Sequence, residues 1–292
     1  ITLVRGGTVD KGDLGTDTFT DFYERIIATN NANDWIDGLT GGGSIASLNV
    51  DLSTNSLTVS NLPGIGSFTS LVEGFENVRG SNTADQIVGD NRVNTLIGNG
   101  GNDVIDGGGG DDTLDGGDGS DRMIGGEGND TYTFGDGIDV IDYSTLQDSI
   151  TLVRGGTVDK GELGTDTFTD FYERIIATNN ANDWIDGLTG GGSIASLNVD
   201  LSTDSLTVSN LPGIGSFTSF VEGFENVRGS NTADQIIGDN GENTLIGNGG
   251  NDVIDGGAGN DVIDGGIGND LMMGGAESDT LDGGAGNDVI DG

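Results

Sequence analysis

The sequence predicts an all-β solenoid in two tandem copies, built from glycine-rich nonapeptides and wider β-coils. Three observations predict it. Two tracts, from Gly80 to Asp142 and from Gly229 to Asp291, repeat every nine residues. The stretch from Ile1 to Asn91 returns 149 residues later with four changes only, Asp13/Glu162, Asn55/Asp204, Leu71/Phe220 and Val88/Ile237. Between Ile1 and Arg79 no helical period is sustained, whereas β-branched and apolar residues alternate between Gly, Asn and Asp turns.

The nonapeptides come first because they carry the chemistry. Gly98-Asn-Gly-Gly-Asn-Asp103-Val-Ile105-Asp106 is followed by Gly107-Gly-Gly-Gly-Asp-Asp112-Thr-Leu114-Asp115, and the rhythm continues. Each nine has a glycine-rich half ending in an acid at the sixth place, then three residues whose middle member is apolar. Glycine permits the tight reversal and the short strand points one side chain into a core. The sixth places of the first tract are Asp85, Asn94, Asp103, Asp112, Asp121, Asp130 and Asp139; those of the second are Asp234, Asn243, Asp252, Asp261, Asp270, Asp279 and Asp288. All fourteen eighth places are apolar, from Ile87 to Ile141 and from Ile236 to Ile290.

These nines resemble the calcium-binding nonapeptides of RTX (repeats-in-toxin, haemolysin-type) proteins, whose form is Gly-Gly-x-Gly-x-Asp-x-apolar-x. The resemblance implies a parallel β-roll in which two nonads make one turn, so that nonads n and n+2 stack. It then implies Ca2+ between Asp85, Asp103, Asp121 and Asp139 on one side of the first tract and between Asn94, Asp112 and Asp130 on the other. In the second tract it implies the series Asp234, Asp252, Asp270 and Asp288 and the series Asn243, Asp261 and Asp279, about five inter-turn sites per tract. Asn94 and Asn243 bring no charge, so their sites are expected to be weak or empty. Residues 80–85 and 134–139 lack some glycines, and Glu277 replaces a fourth-place glycine. The ninth-place acids, Asp106, Asp115 and Asp142 among them, are expected on the solvated face.

Composition agrees with a cation-held chain. There are 49 acidic residues against 10 basic ones, a formal charge of -39, with 57 glycines and 5% aromatics. Such a chain repels itself unless counter-ions hold it, and its acids keep register rather than forming blocks. With no His and no Cys, zinc, copper and iron lack their usual ligands, whereas carboxylates and carbonyls suit calcium. One inward side chain per nine residues buries too little to offset the ordering of the backbone, so metal binding is expected to drive folding.

The same numbers exclude partners. Nucleic acid and anionic membrane surfaces call for Lys and Arg, and no apolar run is long enough to span a bilayer. No signal peptide is visible, and the chain reads as a piece of a longer protein.

The expected divisions are wider coils over 1–79, a nonapeptide roll over 80–142, connector and wider coils over 143–228, and a second roll over 229–292. Asp34 and Asp183 sit in isolated nonad-like turns and suit either a cation or an Asx turn. Trp35 and Trp184 are expected to face outward, against a sugar or under a neighbouring coil or subunit. Eight of the ten basic residues lie in the wider coils, which suits either attraction to a neighbour's acidic tract or plain solvation.

No enzyme is expected, since His- and Cys-dependent catalytic sets are missing and the acids lie in repeating turns rather than in one cleft. The reading is a calcium-binding structural repeat of a large secreted or cell-surface protein, an adhesin, surface layer or extracellular filament. Further copies or neighbouring subunits are its partners. The alternative is a calcium-dependent folding and secretion module of a type I secreted enzyme or toxin.

Overall fold

The computed structural model describes residues 2–4, 8–11, 16–18, 25–29, 33–38, 47–62, 66–153, 156–169, 173–188, 196–211 and 215–292. Among them there is no α-helix; strands of three residues dominate. They fall into two compact units, 1–142 with 166–170, and 143–165 with 171–292.

In the first unit successive nonads go to alternate sheets. Gln86–Val88, Val104–Asp106, Arg122–Ile124 and Val140–Asp142 pair in parallel in one sheet. Asn77–Arg79, Thr95–Gly100, Thr113–Asp118 and Thr131–Thr133 pair in parallel in the other. Ile87 stands opposite Ile105 and Leu96 opposite Leu114, so one turn takes two nonads, as the resemblance implies. The core is the slot between the sheets, filled by the eighth places: Ile87, Leu96, Ile105, Leu114, Met123, Tyr132 and Ile141 are fully buried. Alternation sends the seventh places outward, which leaves Val104 exposed.

The second unit repeats this plan. Gln235–Ile237, Val253–Asp255, Leu271–Met273 and Val289–Asp291 form one parallel series. Asn226–Arg228, Thr244–Ile246, Val262–Asp264 and Thr280–Asp282 form the other. Its eighth places are buried from Ile236 to Met272, while Ile290 is 49% exposed.

The wider coils extend the same sheets and add antiparallel excursions. Ser47–Asp51 pairs in parallel with Gln86–Val88 and antiparallel with Ser56–Leu62, which turns back to Gly66–Glu73. The reversal is tight because Asn55 takes the left-handed conformation at φ 59°, which short polar side chains tolerate. Trp35–Asp37 stacks on Asn77–Arg79, so the nonad-like turn at Asp34 is a coil of the solenoid. Gly66–Glu73 in turn carries Arg25–Ile27 in parallel.

Candidate metal centre

The sixth-place acids line up within the roll. The backbone N–H of Asp85 donates to Oδ1 of Asp103 at 2.7 Å, that of Asp103 to Asp121 at 2.8 Å, and that of Asp121 to Asp139 at 2.9 Å. On the other side Asn94 donates to Asp112 at 2.8 Å and Asp112 to Asp130 at 3.0 Å. The second tract repeats both series: Asp234 to Asp252 and Asp252 to Asp270 at 2.8 Å, Asp270 to Asp288 at 3.1 Å, Asn243 to Asp261 at 2.9 Å and Asp261 to Asp279 at 3.1 Å. Every expected pair is brought together.

What distinguishes the pairs is the second carboxylate oxygen. Oδ2 of Asp103, Asp112, Asp121, Asp252, Asp261 and Asp270 is buried with no hydrogen-bond partner. A buried carboxylate oxygen left so is costly unless a cation meets it. Beside it lies backbone oxygen: a Cβ added to Gly98 would stand 2.3 Å from Asp103 Oδ2 and 2.5 Å from the Gly116 carbonyl oxygen. At Gly247 the corresponding distances are 2.5 Å to Asp252 Oδ2 and 2.6 Å to Gly265 O.

Among the described residues no three acidic side chains converge on one point. A cation here therefore draws on carboxylates of stacked turns and on carbonyls, an all-oxygen set that suits a hard ion taking six to eight ligands.

The ends of each series are different. Ser81 donates its N–H to Asp85 Oδ2 at 2.5 Å and its hydroxyl to Oδ1 at 3.1 Å; Ser230 does the same for Asp234 at 2.5 and 3.0 Å. Asn94 accepts from the Asp90 N–H at 2.8 Å and donates Nδ2 to the Glu76 carbonyl at 2.8 Å. Asn243 likewise donates to the Glu225 carbonyl at 2.9 Å. In the first tract Asp139 accepts the Gly135 N–H at 3.3 Å. In the second, Asp279 and Asp288 keep the ladder but are only half-buried.

The bonds that Asp34 and Asp183 accept from Thr29, Ile150 and Thr178 are not those of an Asx turn, whose donor is the N–H two residues on; these donors come from earlier in the chain. Thr29 gives its N–H and hydroxyl to Asp34 Oδ2, both at 2.7 Å. Asp183 takes the Ile150 N–H on Oδ1 at 2.7 Å and the Thr178 N–H and hydroxyl on Oδ2 at 3.0 and 2.7 Å. Asp142 departs from expectation: it is buried and accepts Arg122 Nε at 2.8 Å, because the outward Arg122 reaches across to the next strand of its sheet. Trp35 and Trp184 are half-buried, each stacked under an arginine, Arg79 at 5.3 Å and Arg228 at 5.4 Å from the ring centroid. Those arginines also pair with Asp37 and Asp186 of their own units.

Electrostatics follow from this packing. Burial, with neighbouring carboxylates adding to it, pushes Asp103 up to about 7, Asp112 up to about 8 and Asp252 up to about 7. These groups hold protons in an ion-free roll near neutrality. A raised carboxyl pKa stabilises the ion-free fold below the unfolded value and loses that contribution as pH rises through 7 to 8. A cation must displace the protons, so affinity should drop by up to about tenfold per pH unit for each proton displaced as pH falls below those values. Titration calorimetry at two pH values, in buffers of different ionisation enthalpy, checks this. Affinity independent of pH would contradict it.

Glu277 offers a second check. It occupies a fourth place where the chain demands positive φ, 79°, a conformation costing a non-glycine residue on the order of 1 kcal/mol or more. Replacing Glu277 by Gly should therefore stabilise the second roll by about 1 kcal/mol, read as a lower cation concentration at the folding midpoint.

Short parallel strands, a one-side-chain core and stacked buried carboxylates define a cation-binding β-roll. Residues 79–114, 106–141, 228–263 and 264–292 match the RTX calcium-binding nonapeptide repeat, in four copies. The two tracts are RTX repeats, and the cation is calcium. No curated protein matches the chain.

Proposed function

We propose that the chain is a calcium-hardened structural repeat of a large secreted or cell-surface protein, an adhesin, surface layer or extracellular filament. Asp103, Asp112, Asp121, Asp252, Asp261 and Asp270 are its principal calcium ligands, each with backbone carbonyls of stacked turns. Asp130, Asp139, Asp279 and Asp288 extend the series, and Asp85 and Asp234 stand at its head, where serine donors and the Leu48 and Leu197 N–H groups meet their carboxylates. The row of buried oxygens without donors carries this reading; the near-identical 149-residue copies support a building-block role. Bound calcium neutralises the acidic interior and ties each turn to the next.

Export unfolded from a calcium-poor interior, then folding outside, suits repeats that need the ion to fold. Single-molecule stretching tests the mechanical role. In calcium the tracts should give discrete unfolding events, and in EGTA a featureless extension; force curves indifferent to calcium would exclude it. The secretion-module alternative has its own discriminator. Further 149-residue copies on the natural polypeptide support the surface protein, and a catalytic or pore-forming domain there supports the module.

A further inference from the structure

The first roll does not end where its nonapeptides end. Thr165–Phe168 pairs with Thr131–Thr133 in parallel, Thr167 opposite Thr131 and Phe168 opposite Tyr132. The Thr167 N–H donates to the Asp130 carbonyl at 2.8 Å, as the Thr131 N–H does to Asp112 at 2.8 Å. The Asp130 N–H donates to Asp166 Oδ1 at 3.0 Å, the same contact that joins Asp112 to Asp130 at 3.0 Å. Asp166 is fully buried and takes the sixth-place role from outside both tracts.

A degenerate signal for it stands in the sequence. Gly161-Glu-Leu-Gly164-Thr-Asp166-Thr-Phe168-Thr keeps glycine at the first and fourth places, the acid at the sixth and an apolar residue at the eighth. Gly164 has the positive φ, 112°, of a fourth-place glycine.

At this step the surroundings of the carboxylates change. The Tyr132 hydroxyl donates to Asp166 Oδ2 at 3.2 Å. A Cβ on Gly125 would lie 2.3 Å from that hydroxyl and 2.3 Å from Asp130 Oδ2, so the hydroxyl that bonds Asp166 borders the same small gap over Gly125 as the Asp130 carboxylate. Neither Asp130 nor Asp166 has a buried oxygen without a partner, unlike Asp103, Asp112 and Asp121. The Phe168 ring, 5.8 Å from Tyr132 and 6.1 Å from Phe134, holds the phenol in place. The equivalent of Tyr132 in the second tract is Leu281, which has no hydroxyl.

We propose that this series of the first roll closes without an ion: Asp166 supplies its terminal carboxylate, and the Tyr132 hydroxyl takes the place of the cation between Asp130 and Asp166. This rests on the interior steps being calcium sites and says where their row stops. An O–H donor meets a carboxylate pair at no cost in bound metal, and the last turn is sealed by a strand of the following copy rather than by calcium.

Counting bound calcium on the full chain, by equilibrium dialysis at saturating calcium, tests it. Asp166→Asn should leave the count at the wild-type value, since the amide oxygen still accepts the Asp130 N–H. Tyr132→Leu should raise the count by one, because Asp130 and Asp166 then lack their hydroxyl. The double variant should return to the wild-type count. Loss of one ion in Asp166→Asn would overturn the proposal, as would an unchanged count in Tyr132→Leu with its circular dichroism intact. Should Tyr132→Leu fail to fold, Asp166→Asn decides alone. A wild-type chain that bound no calcium would overturn the underlying reading as well, and so registers as a different failure.

Discussion

Excess EGTA added to the calcium-loaded chain should abolish the β signature in circular dichroism, and calcium should restore it. The expected change is a loss of most ordered structure rather than a shift in detail. Each nonad contributes one inward side chain, such as Leu114 or Ile254, and strands of three residues cannot bury more. Against that stand a formal charge of -39 and buried carboxylates that repel one another once ionised. Ion binding to the folded form alone supplies the missing free energy by mass action. A spectrum unchanged in excess chelator would contradict the account.

Gly119→Ala is expected to be nearly as damaging. A Cβ there would lie 1.8 Å from the Gly101 carbonyl oxygen, at φ 148°, and the obstacle is backbone that belongs to the neighbouring turn. Strain of about 1–3 kcal/mol adds to overpacking of about 1–3 kcal/mol, and the turns around Asp121 are pushed apart. The calcium concentration at the folding midpoint should rise sharply. Gly161→Ala is a useful control, since a Cβ there meets nothing within 4 Å although φ is 63°, which confines its cost to backbone strain. Equal effects at the two positions would show that close stacking of turns is not what glycine serves.

Much of the roll was legible in the sequence. Strict nine-residue spacing pairs side chains of one kind in register, so the core column and the sixth-place ladder follow from counting. What the spacing could not show is which carboxylates are satisfied by protein. Ser81 is visible as a departure from glycine, but that its N–H and hydroxyl meet Asp85 depends on how the turn bends. Arg122 likewise draws Asp142 out of solvent from 20 residues away, a pairing set by strand register and side-chain length. Asp166 is hard to see in the sequence because its nonad keeps only two glycines, Gly161 and Gly164, and stands apart from both nonapeptide tracts. The antiparallel excursion through Asn55 and Ser56–Leu62 was legible as strands but not as a meander, because direction follows from which edge is open.

Near-identical turns carry a hazard of their own. A chain that condensed one coil out of step, displaced by eighteen residues, would still place an apolar side chain in every slot and an acid in most steps of the ladder. Asn94, donating its amide to Glu76 as Asn243 does to Glu225, breaks that degeneracy: an aspartate shifted into its seat would set a carboxylate against a carbonyl. Each asparagine thus serves as an index mark from which the alignment of its roll can be counted, a step held by its own amide where an aspartate would need a cation.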